Sequence, residues 1–174
     1  MRIIGLAGWQ NAGKTTLLAR VIPCLIARGR TVSTVKHAHH SFDIDQPGKD
    51  SHAHRMAGAT EVLIASANRF ALMHELRGTP EPPLSALLAR LAPVDLVIVE
   101  GYKAHPHPKL EVHRAVNGKP LLYPNDACIV AVAADVPLPE AELPVIGLDD
   151  IEQIADVLLI ESEPLASVLA RGDG

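Results

Sequence analysis

Ile3-Ile4-Gly5-Leu6-Ala7, then Gly8-Trp9-Gln10-Asn11-Ala12-Gly13-Lys14-Thr15, then Leu17-Leu18 with Val21-Ile22 and Leu25-Ile26, is the stretch that decides the fold. A short continuous apolar run reads as a buried strand, and apolar pairs recurring at helical spacing mark one face of a helix. The octet between them has glycine at its first and sixth positions followed by lysine and threonine, the pattern of a loop that cradles phosphate. Glycine there lets successive backbone N–H groups converge on phosphate oxygens, and the positive end of the following helix adds to the attraction. On this reading Gly8, Asn11, Ala12 and Gly13 line the cradle. Lys14 reaches the β- and γ-phosphates, the Thr15 hydroxyl ligates Mg²⁺ and Thr16 touches the α-phosphate.

Working outward, Thr31 to Lys36 is the next strand, and a polar loop from His37 to Ser51 leads to a short helix ending near Ala57. Val62 to Ser66 and Phe70 to His74 are β-like runs joined by Ala67-Asn68-Arg69, a hairpin that is expected at a sheet edge. Leu84 to Leu91 is predicted helical, Asp95 to Glu100 and Cys128 to Ala134 are buried aliphatic strands, and Lys109 to His113 is a short strand. Asp149 to Leu159 reads as a closing helix capped by Asp149. Strands alternating with helices predict an α/β, P-loop NTPase-like fold: a mostly parallel sheet, helices on both faces and an edge hairpin. The boundaries expected are one nucleotide-binding domain over residues 1–160 and a C-terminal tail over 161–174.

Composition agrees. In 174 residues, 48% are apolar but only 3% aromatic, so the core is Val, Ile, Leu and Ala, the mix of a sheet covered on both faces. Sixteen basic against twenty acidic residues argue against nucleic acid as a partner. The motif begins too early for a cleavable leader, and the longest apolar stretch, Ala127 to Ala134, is too short to span a bilayer, so a soluble cytoplasmic protein is expected. Cys24 and Cys128 read as small buried hydrophobes.

A phosphate cradle of this kind needs a carboxylate at the carboxyl end of a neighbouring strand to organise magnesium. Glu100, closing Leu96-Val97-Ile98-Val99, is the candidate, while Asp95 opens the same strand roughly 17 Å away at about 3.3 Å per residue and reads as a structural cap. Gly101 either lets the backbone approach the γ-phosphate or simply turns the chain. Five of the nine histidines lie between His37 and His54. Three readings stand: a histidine metal site, a solvated polar loop, or an anion pocket. In the last, Lys36, His37, His39, Lys49, Asp50 and Arg55 form a second anion or partner site and Asp45 joins Glu100 as a catalytic, magnesium-handling carboxylate.

Val35-Lys36-His37-Ala38-His39-His40, Phe42 to Ser51, Arg55-Met56-Ala57-Gly58-Ala59, Leu96 to Lys103 and Ile129 to Asp135 together resemble the molybdopterin-guanine dinucleotide biosynthesis protein B (MobB) family. The resemblance implies a homodimeric GTP-binding adapter with weak magnesium-dependent GTPase activity. It also implies support for the guanylyl-transferring enzyme MobA, with molybdopterin itself a candidate ligand. No Asn-Lys-x-Asp sequence is present, so guanine is implied by resemblance alone. Asp135, at the end of its strand, is either a reader of guanine N–H groups or an acidic turn residue. The competing activity is a small-molecule kinase on the same cradle, against which stands the absence of an arginine-rich lid.

Overall fold

The structure, a computed structural model, describes residues 1–38 and 43–172. The chain divides into two compact units, one of residues 1–37 with 84–174 and one of residues 38–83. The second is thus an insertion in the sequence of the first.

The larger unit is built on a seven-stranded sheet of β1 (Arg2–Ala7), β2 (Val32–Lys36), β3 (Leu96–Glu100), β4 (Lys109–His113), β5 (Ile129–Ala134), β6 (Val145–Gly147) and β7 (Glu163–Pro164). The order is β2-β3-β1-β4-β5-β6, all parallel, with β7 antiparallel to the first residues of β1. The cradle strand β1 therefore lies between β3 and β4. Alternation along the strands feeds two cores. Ile4, Leu6, Leu96, Ile98, Leu110 and Val112 face helices α1 (Lys14–Ala27) and α2 (Ile151–Glu161), which bring Leu17, Val21, Leu25, Ile154 and Leu158. Ile3, Val97 and Val99 face the other way, onto α3 (Leu84–Leu88) and α4 (Leu165–Leu169), with Leu84, Leu88 and Val168. The predicted mostly parallel α/β sheet with helices on both faces is what the chain forms.

Several details differ from the sequence reading. The helix cap is Asp150, whose Oδ1 accepts the Gln153 N–H at 3.0 Å, while Asp149 pairs instead with Arg20 at 2.7 Å. Two adjacent aspartates offer the same chemistry, and only the backbone path selects one. Within 161–174, β7 and α4 pack against the sheet, with Val168 fully buried. Ser162 accepts a hydrogen bond from Arg2 Nε at 2.8 Å.

Strand β4 departs from an aliphatic pattern. Leu110 and Val112 enter the core, but Lys109 and Glu111 on the opposite face are also buried. Lys109 Nζ meets Asp126 Oδ2 at 3.1 Å, and the Glu111 carboxylate accepts the Leu122 and Tyr123 N–H groups at 2.8 and 3.0 Å. Burial pushes the Glu111 carboxyl up, and those two donors pull it back.

The smaller unit holds helix α5 (Asp50–Met56) and the strands β8 (Glu61–Ala65) and β9 (Phe70–His74), numbered after the first unit. The hairpin exists, but it is a separate two-stranded sheet and not an edge of the large one. Leu63, Ile64, Phe70 and Leu72 are all exposed on it. The unit is knitted by Arg55, whose guanidinium meets Asp43 at 2.8 Å, Glu75 at 3.2 Å and Asp45 at 3.7 Å.

Candidate functional site

The loop from Gly8 to Gly13 leaves the carboxyl end of β1 and enters α1 directly. Three of its residues take left-handed or otherwise positive φ: Gly8 at 144°, Asn11 at 63° and Gly13 at 93°. That is the backbone a chain needs to wrap around an anion, and glycine and asparagine tolerate it best. Ala12 N–H donates to Trp9 O at 3.1 Å, closing the loop, and Ala12 itself is buried. Lys14 Nζ donates to the carbonyls of Gly8 and Trp9, both at 3.0 Å. Burial holds its ammonium below the usual lysine range. Glu100 opposes that shift, while Lys103 and Lys36 add to it.

The Thr15 hydroxyl lies 3.5 Å from each carboxylate oxygen of Glu100. Adjacency of β1 and β3 brings them together, since Leu6 stands opposite Glu100 in the register. Lys36 Nζ stands 3.8 Å from Glu100 Oε2, and the Glu100 carbonyl accepts the His37 N–H at 2.8 Å. A hydroxyl and a carboxylate beside a basic, backbone-lined loop are hard oxygen donors of the type magnesium takes. The residues present therefore fit a magnesium–phosphate ligand. Gly101 has φ 98°, and a methyl group there would come within 2.5 Å of His37 Cβ. It serves a close backbone approach after the strand, and the rings of His37 and Tyr102 lie 4.9 Å apart beside it. Thr16 is exposed in the first turn of α1.

Asp135 follows β5 and accepts the Ala115 N–H at 2.9 Å through Oδ1, while its Oδ2 stands 3.9 Å from Arg114. Asp95 binds Thr31, through backbone N–H and hydroxyl, at 2.8 and 2.7 Å, the structural role expected for it. Of the proposed second site, Lys36 and His37 belong to the larger unit, Lys49, Asp50 and Arg55 to the smaller, and His39 falls outside the described residues. Asp45 also lies in the smaller unit, where Oδ1 accepts from the Ser51 hydroxyl at 2.7 Å. Arg55 holds the Asp43 carboxyl well below the usual range. Its charge is neutralised by acids of its own unit. Lys49 precedes α5 and Asp50 opens it. Among the described residues no three His, Cys, Asp or Glu gather as a metal site.

Two features escaped the sequence reading. Trp9 donates its indole N–H to Pro120 O at 2.8 Å, and Lys103 and Lys119 place their ammonium groups 5.3 and 5.8 Å from its ring centre. Arg114, just past β4, lies against Gly13: a methyl group on that glycine would be 2.9 Å from Arg114 Nε. Neither is visible in the linear motif, because both depend on which strands neighbour β1.

Fold and loop thus define a P-loop NTPase-like α/β protein, in which the Gly8–Gly13 loop is backed by a threonine–glutamate pair. The family model for molybdopterin guanine dinucleotide synthesis protein B matches residues 3–135, and the chain belongs to this MobB family. It is 39% identical over 160 residues to the molybdopterin-guanine dinucleotide biosynthesis adapter protein of Escherichia coli, covering 90% of this chain and 91% of that one. The Haemophilus influenzae protein of the same description is 41% identical, with 90% and 86% covered. Among solved structures, a molybdopterin-guanine biosynthesis protein B matches with TM-score 0.71 at 28% identity, covering 90% of this chain and 97% of that one. A MobB homologue from Bacillus stearothermophilus matches with TM-score 0.66 at 26% identity, covering 90% and 94%. No helix among the described residues is long and apolar enough to cross a membrane.

Proposed function

We propose that this chain is an adapter in molybdopterin guanine dinucleotide synthesis, binding GTP with Mg²⁺ in the cytoplasm and hydrolysing it slowly in support of the guanylyl-transferring enzyme MobA. The observation that carries the nucleotide reading is the Thr15–Glu100 pair at the mouth of the Gly8–Gly13 loop. The relatives described as adapters, about two-fifths identical across most of the chain, support the pathway. Backbone N–H groups of the loop hold phosphate oxygens, and Lys14 exchanges its two carbonyl partners for them. Magnesium, when bound, neutralises charge on the phosphates. Thr15 and Glu100 would hold it, and Glu100 would orient the attacking water. The exposed apolar hairpin supports a homodimer, because a sheet with Leu63, Ile64, Phe70 and Leu72 exposed is a surface that proteins cover.

Calorimetry with GTP and ATP, with and without Mg²⁺, on the parent and on Lys14→Ala tests the reading. The expected result is GTP over ATP by about tenfold or more, or roughly 1.4 kcal/mol. Lys14→Ala should lose at least about 2 kcal/mol of binding. A folded Lys14→Ala that binds like the parent refutes the cradle, and equal affinity for both nucleotides refutes the base.

A further inference from the structure

We infer that Arg114 is a nucleotide-binding residue, contacting the phosphate chain beside Gly13, and that Asp135 is its positioning residue and not the reader of the base. The inference rests on the nucleotide reading above and assigns two residues that the motif does not contain. Strand β4 runs parallel beside β1, so the residue after its last position emerges at the same end as the cradle. The guanidinium packs on the glycine that precedes Lys14, with Nε 2.9 Å, Nη2 3.4 Å and Cζ 3.6 Å from where a Cβ would stand. This contact is open only because Gly13 has no side chain.

Nearby cations are engaged differently. Lys14 donates to two loop carbonyls and Lys36 faces Glu100. Arg20 on α1 and Arg28 just after it are tied to Asp149, Glu152 and Asp156. For Arg114 the only carboxylate within 4.0 Å among the described residues is Asp135, at 3.9 Å, beyond hydrogen-bond reach. A guanidinium carries five donors in a rigid fork suited to phosphate, and here it is held at the cradle by one distant counter-charge. That is the arrangement of a group placed to bind an anion and not of a finished internal ion pair.

Asp135 explains the placement. One oxygen accepts the Ala115 N–H, which fixes the backbone immediately after Arg114, and the other faces the guanidinium. Both oxygens are thereby turned toward the Arg114 segment, and the positioning of the arginine is the role that the contacts support.

The test is calorimetry of Mg-GTP, Mg-GDP and Mg-ATP binding to the parent, Arg114→Ala, Arg114→Lys, Asp135→Asn and Lys14→Ala, each checked for folding by thermal melting. Arg114→Ala should weaken GTP and GDP alike by about tenfold or more, as for a lost charge-assisted contact, with Arg114→Lys recovering much of it. Asp135→Asn should weaken all three nucleotides a few-fold and leave the GTP-to-ATP ratio unchanged. A folded Arg114→Ala with parental affinity overturns the inference, whatever happens to the hydrolysis rate. So does an Asp135→Asn that collapses the GTP-to-ATP ratio, whatever Arg114→Ala does, for then Asp135 reads the base. If the parent binds no nucleotide, or Lys14→Ala binds as the parent does, the cradle reading itself has failed and this one falls with it.

Discussion

His107 offers a measurement in which one buried ring sets the pH dependence of stability. It is fully buried, its Nδ1 lies 3.2 Å from His105 Nδ1, and its Nε2 has no hydrogen-bond partner. The ring lies so close to the cradle strand that a methyl group on Gly5 would be 2.4 Å from Nε2. Burial first, then the charges of Lys109 and His105, push its pKa from 6.5 down to about 3, against a smaller opposing pull from Asp126. Folded, the ring therefore stays neutral down to about pH 3; unfolded, it takes a proton below 6.5. Protons favour the unfolded chain throughout that window, and the stability contributed by the neutral ring is present in full only above pH 6.5. At about 1.4 kcal/mol per pH unit for one proton, lowering the pH from 7 to 5 removes on the order of 2 kcal/mol through this group alone. Guanidinium unfolding of the parent and of His107→Gln at both pH values gives the comparison. The variant is expected to be weaker at pH 7 but to lose about 2 kcal/mol less on acidification. Parallel losses in the two proteins would show that His107 titrates normally in the folded state and refute the reasoning.

Glu100→Gln should lower Mg-dependent phosphate release by about tenfold or more while changing GTP affinity less, since a metal-organising carboxylate acts mainly on charge that develops in the transition state; a malachite-green assay beside calorimetry decides it, and an unchanged rate removes the role. Gly101→Ala, forced into φ 98° against His37, should lose on the order of 1–3 kcal/mol of stability in denaturant unfolding, and a parental midpoint would contradict the close approach. Phe70→Ser with Leu72→Ser should shift light-scattering mass toward that of one 18.6 kDa chain, whereas a parent already at that mass across a wide concentration range removes the dimer.

What could be read from the sequence and what could not divide along a physical line. The cradle, α1 and the strand ending in Glu100 were legible because each is local: a turn chemistry, a helical period and a buried aliphatic run leave their mark within a few residues. Glu100 could be placed near Thr15 because the rule that ligands meet the carboxyl ends of parallel strands holds without knowing the strand order. Arg114 needed that order. Its strand, Lys109–His113, alternates Leu110 and Val112 with Lys109, Glu111 and His113, so its pattern looks like a half-solvated edge. In fact β4 lies between β1 and β5 with Lys109 and Glu111 buried, satisfied by Asp126 and by the Leu122 and Tyr123 N–H groups. Buried polar partners from a loop a dozen residues on leave no periodic signal. The same blindness touches the hairpin, whose alternation declares two paired strands but not which sheet they join. It bears on Asp135 as well. Strand-end position alone leaves a base reader and a turn residue equally open, whereas the pairing of β4 with β5 sets Arg114 beside it, on the side that its carboxylate faces.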